Sequence, residues 1–281
     1  MIHRSSKLRN LVNLVTKVVA AFGALVGIFF LGWIVFEVLK RGGSALSWAF
    51  FTQLPPPPGV EGGGVANAIL GTLGITLLAT IISVPVGILA GTYLSELGRD
   101  TILATCARFA ANSLVGIPSI IVGLFVYASL VAPMGAFSGY AGAVSLAIIM
   151  LPVVATTAEA MLNLVPNELR ESAIALGAPR WKVTLEVVFR AAKAGILTGV
   201  ILSVARVSGE TAPLLFTALN SPYWPNTFAM PTANLTVTIF NFAMSPYEHW
   251  QQIAWGASLL IMVAVLALTI TARVVFRESR R

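Results

Sequence analysis

The fold is decided by stretches such as residues 191–219, AAKAGILTGVILSVARVSGETAPLLFTAL, in which apolar residues predominate. A helix needs about 20 mostly apolar residues to cross the hydrocarbon core of a bilayer. Residues 191–219 exceed that length and therefore predict a transmembrane helix. The other stretches that meet the same requirement are Leu14–Leu39, Val65–Leu94, Leu103–Ala132, Tyr140–Val165 and Ile253–Phe276.

The composition supports a location in the membrane. Of the 281 residues, 57% are apolar and only 10% are charged, whereas an average soluble domain is about 25% charged. This composition excludes an ordinary cytosolic enzyme and an intrinsically disordered protein. We therefore expect an all-α integral membrane protein with six transmembrane helices, built as a single domain over residues 1–281.

The basic residues are distributed unevenly between the predicted loops. The net charge is +7, and six crossings would place fifteen of the 18 Lys and Arg residues on the side that holds both termini. Cytoplasmic loops carry such an excess, so the pattern predicts that both termini are cytoplasmic. The excess is then a topology signal, and no nucleic-acid partner is expected.

Few side chains are available for metal binding or redox chemistry. Cys106 is the only cysteine, which excludes an intramolecular disulfide, and His3 and His249 are far apart in the sequence. We expect no metal site and no cofactor, because the sequence supplies too few ligands of these types.

Four of the predicted helices contain residues that bend or interrupt a helix. Pro85, Pro118 and Pro152 lie in the second, third and fourth stretches, and Gly209 and Pro213 lie in the fifth. A proline inside a helix removes a hydrogen-bond donor and kinks the chain, and such breaks often line a transport pathway. Together they favour a mobile, cavity-lined bundle, although each proline alone is compatible with plain packing.

The last loop on the outer side, residues 220–250, is the longest segment that does not span the membrane. It contains no Lys or Arg, and Leu235–Met244 predicts a short helix lying on the outer surface. Loops of this length usually have a function. This one suits contact with another protein and the lipid interface equally well.

Residues 166–187, between the fourth and fifth stretches, predict a short cytoplasmic helix. Pro166 suits the first helical turn, Gly177 suits the position just after the helix, and Pro179 begins a second helix. One face of the first helix consists of Leu169, Ala173 and Leu176, with Arg170 and Glu171 facing elsewhere. Such a helix suits a groove on a partner protein, and the alternative is an ordinary amphipathic loop.

Two charged residues within 191–219 mark a candidate substrate site. Arg206 and Glu210 are four residues apart, so on one helix they would share a face and could pair. Charges inside a membrane are costly and indicate a polar cavity, and an Arg side chain presents a planar fork that suits tetrahedral oxyanions. Further hydrogen-bond donors could come from Ser203, Ser208 and Thr211. The alternative is an internal salt bridge that only fixes helix packing.

The segment between the fourth and fifth stretches resembles a motif of a known transporter family. Glu171-Ser172-Ala173, followed after three residues by Gly177, resembles the E-A-A-x-x-x-G motif of permease subunits of ABC importers. The resemblance implies that this segment is a coupling helix that docks on a separate ATP-binding subunit. The chain departs from the motif at Ser172, and Arg190 stands where the family pattern has a proline.

Residues 209–218, GETAPLLFTA, closely resemble the signature of phosphate ABC importer permeases of the PstA type. Similar motifs elsewhere are Asn67–Leu73, Tyr93–Glu96, Gly116–Ile120 and Phe240–Pro246. The resemblance implies a multi-pass protein of the inner membrane of a prokaryote that forms half of a pathway for inorganic phosphate, with Arg206 on that pathway. One departure is that Ala155, Thr156 and Thr157 occupy a region where relatives often carry a second arginine.

The same resemblance implies the partners. They are a second permease subunit of the PstC type, two copies of an ATP-binding subunit of the PstB type, and an external phosphate-binding protein of the PstS type. The sequence has no G-x-x-x-x-G-K-[ST] motif, so ATP hydrolysis is expected in the partner and this chain is not expected to be an enzyme.

Three alternatives are also compatible with the sequence. The first is a permease for another oxyanion such as sulfate, molybdate or phosphonate. The second is a secondary anion transporter, which would carry inverted repeats and several membrane carboxylates, whereas Glu210 is the only acid that we place deep in a span. The third is a regulatory membrane scaffold, which would tolerate loss of Arg206.

Overall fold

The computed structural model describes residues 6–277, and all regular structure within that range is helical. The helices are α1 (Ser6–Gly43), α2 (Trp48–Thr52), α3 (Ala66–Thr92), α4 (Ile102–Gly116), α5 (Ser119–Val126), α6 (Ala132–Met134), α7 (Gly139–Asn163), α8 (Asn167–Ala175), α9 (Arg180–Lys182), α10 (Phe189–Val207), α11 (Ala212–Leu215), α12 (Leu235–Ala243) and α13 (Glu248–Arg277). Three π-helical segments continue these helices, namely Tyr93–Leu97, Tyr127–Val131 and Val183–Val188.

The helices include the predicted number of membrane spans, but the third span is not straight. Five helical segments are long and apolar enough to cross a membrane, and the number is six when a bent pair is counted as one span. The interruption predicted at Pro118 is confirmed, because the chain bends by 103° between Ile102–Gly116 and Ser119–Met134, within the predicted span Leu103–Ala132. Pro118 lies at the bend, where Ile117 is extended and cannot continue the helix.

The fifth span also ends earlier than predicted. Helix α10 stops at Val207, and a turn leads into α11, which has Pro213 in its first turn. At its other end α10 is continuous with Val183–Val188 and α9, so the chain passes through Arg190 in helical conformation. Pro85 and Pro152, by contrast, lie inside the uninterrupted helices α3 and α7.

The core lies where α3 and α7 pack along each other. Ile75, Leu146 and Met150 are fully or almost fully buried there. Helices α10 and α11 complete this core through Val207 and Leu214. Near their C-terminal ends, Gly91 of α3 closely approaches Ala155 and Ala158 of α7, so these two ends lie together.

Helix α12 confirms the predicted helix over Leu235–Met244 but not its predicted place on the outer surface. Thr236, Val237 and Phe242 are buried, because α12 packs against α3 and α13. The chain just before α12 comes close to α3 because residue 71 is a glycine. A Cβ atom at Gly71 would collide with the carbonyl oxygen of Ala233. Helix α12 therefore enters the bundle, whereas most of residues 221–230 in the same loop are exposed.

Helix α1 stands largely apart from the rest of the described chain. None of the residues in the apolar stretch of α1 that is long enough to cross a membrane is buried. It meets α13 near its C-terminal end, where Gly42 approaches Trp255 and Leu259. The buried cluster next to the candidate site is instead built from residues of α3, α7, α10, α11 and α12.

Candidate functional site

Arg206 lies in the last turn of α10, where its side chain is exposed. The negative end of the helix dipole favours a cation at this place. Within residues 6–277, no side-chain hydrogen bond or ion pair involves its guanidinium group. The fork of donors is therefore free on the surface of this single chain.

The expectation that Arg206 and Glu210 share a helical face is wrong. Because α10 ends at Val207, Glu210 belongs to the following turn, in which its N–H donates to the carbonyl oxygen of Val207 at 3.1 Å. No salt bridge joins the two residues in the part of the chain that is described. The alternative of an internal Arg206–Glu210 ion pair therefore has no support in this structure.

The three predicted hydroxyl donors are not brought to one surface. Ser203 is 3% exposed and donates to the carbonyl oxygen of Gly199 at 2.8 Å. Ser208 donates to Ala205 at 2.9 Å, and half-buried Thr211 precedes α11. Ser208 and Thr211 therefore lie within a few residues of Arg206, whereas Ser203 belongs to the core.

A row of hydroxyl residues on α3 was not predicted from the sequence. Thr72, Thr76 and Thr80 recur at every fourth position and line a cavity of about 380 Å³ together with Ser208. Two of these hydroxyls already bond within the bundle, because Thr80 donates to the carbonyl oxygen of Thr76 at 2.7 Å and Thr72 accepts from the N–H of Leu235 at 2.8 Å. The rest of the lining is mostly apolar, so the cavity does not resemble an anion site.

The short helix predicted within residues 166–187 is present as α8, and its predicted cap is confirmed. Gly177 follows α8 with a φ of +85°, a left-handed conformation that glycine adopts without strain. Its N–H donates to the carbonyl oxygen of Ile174 at 2.8 Å. Pro179 then begins α9 as predicted.

Helix α8 offers only part of its predicted apolar face to solvent. Leu176 is 89% exposed and Leu169 is also exposed, but Ala173 packs against the buried cluster around Leu162. Glu171 and Ser172 of the E-A-A-like motif are exposed. The outward surface therefore combines two leucines with acidic and small residues.

Arg170 turns into the bundle, whereas the sequence suggested only that it faces away from the apolar side of α8. Its Nη2 atom lies 2.8 Å from Oε1 of Glu96, and the two side chains are 13% and 10% exposed. The same Nη2 donates to the carbonyl oxygen of Leu162 at 2.8 Å. Arg170 and Glu96 are 74 positions apart in the sequence, and no local pattern at either residue indicates that they pair.

A second ion pair lies at the same end of the bundle. Nε of Arg108 on α4 is 2.6 Å from Oε1 of Glu159 on α7. Arg108 also donates to the carbonyl oxygen of Leu94 at 2.8 Å. The expectation that Glu210 is the only acid deep in a span is therefore wrong, because Glu159 lies inside α7 and Arg108 compensates its charge.

Comparison with known proteins places this arrangement in one family. Residues 83–281 match the family model described as binding-protein-dependent transport system inner membrane component. The chain belongs to this family. Within it, the chain is 48% identical to the phosphate transport system permease protein PstA of Yersinia pestis, covering 95% of this chain and 91% of that protein. The PstA protein of Pasteurella multocida is 46% identical over 98% of this chain and 97% of its own length.

Solved structures with the same fold are ABC transporters. The chain matches the inward-facing MetNI methionine ABC transporter with a TM-score of 0.63 at 17% identity, covering 77% of this chain and 96% of that chain. A bacterial alginate ABC transporter, in complex with an alginate-bound periplasmic protein, gives a TM-score of 0.66 at 14% identity over 93% of each chain. These likenesses establish the ABC importer permease fold, and the protein is a transport component of the membrane.

Proposed function

We propose that this chain is the PstA-type permease subunit of an ATP-driven phosphate importer and forms half of its transmembrane pathway. The observation that carries the proposal is the 48% identity to the Yersinia pestis PstA protein over 95% of this chain. The aligned region covers almost the whole chain and includes residues 209–218, which carry the strongest motif of the sequence.

The proposed partners are those that the likeness to PstA-type permeases implies. The chain has no phosphate-binding P-loop motif of its own, so a separate PstB-type subunit, present in two copies, would hydrolyse ATP. The exposed side of α8, with Glu171 and Leu176, would dock on that subunit. A PstC-type permease would supply the second half, and a PstS-type phosphate-binding protein would deliver the substrate.

The orientation of the chain in the membrane is inferred from the distribution of its basic residues. We infer that both termini and the coupling loop, residues 166–187, face the cytoplasm, because basic residues concentrate at that end. Residues 220–250 then face the periplasm or the outside, where the phosphate-binding protein would dock. No nucleic-acid partner is required to explain the positive charge.

Arg206 would meet phosphate on the surface between the two permease halves. Its side chain is exposed in this single chain and makes no contact that would consume its donors within residues 6–277. A second subunit would enclose it in a narrow path. One fixed cation lowers the cost of desolvating an anion without trapping it.

The experiment that tests this function is uptake with competing anions. Cells that lack their own phosphate permease would express this chain with its three partner subunits, and radiolabelled phosphate uptake would be measured. We expect uptake that excess unlabelled phosphate suppresses and that excess sulfate, molybdate or phosphonate leaves unchanged. Absence of phosphate uptake, or suppression of that uptake by one of those other anions, would contradict the proposal.

A further inference from the structure

A buried ion pair joins the proposed coupling helix to the membrane helices. Arg170 is the one charged residue of α8 whose side chain is largely enclosed, whereas Glu168 and Glu171 are exposed. Its partner Glu96 lies in the π-helical segment Tyr93–Leu97 that ends α3. The pair therefore connects two elements that are remote in sequence.

The guanidinium group of Arg170 links α8 to two other structural elements. Its Nε and Nη2 atoms lie 3.3 and 2.8 Å from the two carboxylate oxygens of Glu96. Nη2 also donates to the carbonyl oxygen of Leu162 in the last turn of α7, and Nη1 donates to that of Val165 just beyond it. A planar fork can satisfy these acceptors together, but the single ammonium group of a lysine cannot.

The elements held by Arg170 are those that form the core. Helices α3 and α7 pack along each other, and α10, which carries Arg206, packs on α7. The second ion pair, Arg108 with Glu159, ties α4 to α7 at the same end. A displacement of α8 that preserves the Arg170 contacts would therefore move the ends of α3 and α7 with it.

We propose that Arg170 and Glu96 are positioning residues that fix the coupling helix to α3 and α7, so that movement of the ATP-binding subunit reaches the substrate pathway. This proposal rests on the proposed function, because it assigns a route for the coupling that a phosphate importer needs. The pair touches neither substrate nor nucleotide and acts through the helices it joins.

The test compares Arg170→Lys, Arg170→Gln and Glu96→Gln in the complete complex, reconstituted in proteoliposomes. Phosphate uptake and ATP hydrolysis are measured on the same samples. We expect the partners to co-purify and ATP hydrolysis to remain close to wild type, while phosphate transported per ATP falls about fivefold or more. The matched control is Arg190→Gln, an exposed arginine at the same end of the bundle, whose ratio should equal that of wild type.

The double variant shows whether Arg170 and Glu96 act together as a pair or act independently. If the carboxylate acts only through Arg170, Arg170→Gln combined with Glu96→Gln should lower the transport ratio no further than the worse single variant. Additive losses, or an unchanged ratio in all single variants, would overturn the proposal. Failure of the wild-type complex to transport phosphate would instead overturn the proposed function.

A distance measurement tests the attachment without any substrate. Spin labels are placed at two exposed positions, Ala175 on α8 and Leu97 at the end of α3, in a chain carrying Cys106→Ser. We expect a narrow distance distribution that broadens on introduction of Arg170→Gln. An unchanged distribution would overturn the proposal whatever the transported substrate is.

Discussion

The side-chain hydroxyl of Thr236 donates a hydrogen bond to the backbone oxygen of Glu210 at 2.8 Å. This bond ties buried helix α12 to the turn that follows α10, and Arg206 lies in the last turn before it. The position of the proposed substrate-binding residue therefore depends on a segment that the chain reaches only 26 positions later.

Replacing Thr236 by Val should disturb this turn. The variant keeps the side-chain volume but leaves a carbonyl oxygen without its donor, at a cost of about 1–3 kcal/mol. We expect a lower unfolding temperature of the purified chain and slower phosphate uptake by the complex. Thr269→Val is the control, because Thr269 donates only within its own helix, to Val265. Equal effects of the two variants would argue against a special role for the bond to Glu210.

Arg206→Gln should impair transport without impairing assembly. Hydrogen bonds to a charged group contribute about 1.5–3 kcal/mol, so loss of the cation on the pathway should slow uptake about tenfold or more. Arg206→Lys should retain part of the rate, because the charge remains but the fork is lost. Lys193→Gln, which removes an exposed charge from the same helix, should leave uptake unchanged. Wild-type uptake by Arg206→Gln would exclude Arg206 from the pathway.

Leu176→Ser should weaken binding of the ATP-binding subunit. Leu176 is 89% exposed and lies beside the E-A-A-like motif. Its replacement by Ser should therefore change the stability of the isolated chain little, but it would remove apolar contact with a partner. Co-purification of the two subunits measures the effect. Leu97→Ser is the matched control, since Leu97 is 76% exposed at the end of α3 and outside α8. Loss of the subunit in both variants, or in neither, would contradict the assigned docking surface.

Gly71→Ala should destabilise the chain through α12. The added Cβ atom would collide with the carbonyl oxygen of Ala233, and overpacking of this kind costs about 1–3 kcal/mol. Thermal unfolding in detergent should shift to a lower temperature. Gly32→Ala in α1 is the control, because nothing lies within 4 Å of its added Cβ atom. An unfolding temperature that is unchanged in Gly71→Ala would show that α12 can move away without cost.

The orientation can be tested by thiol labelling in a chain carrying Cys106→Ser. Leu176→Cys and Tyr223→Cys place single thiols at positions that are 89% and 74% exposed. A membrane-impermeant reagent applied to intact spheroplasts should label the second variant, whereas the first should react only after lysis. The opposite labelling pattern would reverse the assigned topology.

The spans and helix caps could be predicted because they depend on local properties. The length of each apolar run marks a crossing, and glycine at position 177 marks the end of α8 by its tolerance of positive φ. The sequence predicted a break at Pro118, but it did not predict that the chain would break there and not at the other two prolines. Pro85 and Pro152 look equivalent in sequence, yet α3 and α7 continue through them.

The candidate site was predicted less completely than the fold, because its geometry depends on contacts between distant residues. The four-residue spacing suggested that Arg206 and Glu210 pair. Residues four apart share a face only within one continuous helix, however, and α10 ends at Val207. Likewise, nothing local to Arg170 indicates that its partner is Glu96. The predicted roles of Arg206 and Glu171 remain predictions.

The central claim, that this chain is half of an ATP-driven phosphate pathway, is tested most directly by uptake in proteoliposomes containing the four-component complex. The measurement is radiolabelled phosphate uptake with ATP supplied on the side of the ATP-binding subunit, in the presence and absence of an ionophore that dissipates ion gradients. We predict uptake that requires ATP, persists with the ionophore and is slowed by Arg206→Gln. Uptake driven by an ion gradient in the absence of ATP would contradict the account.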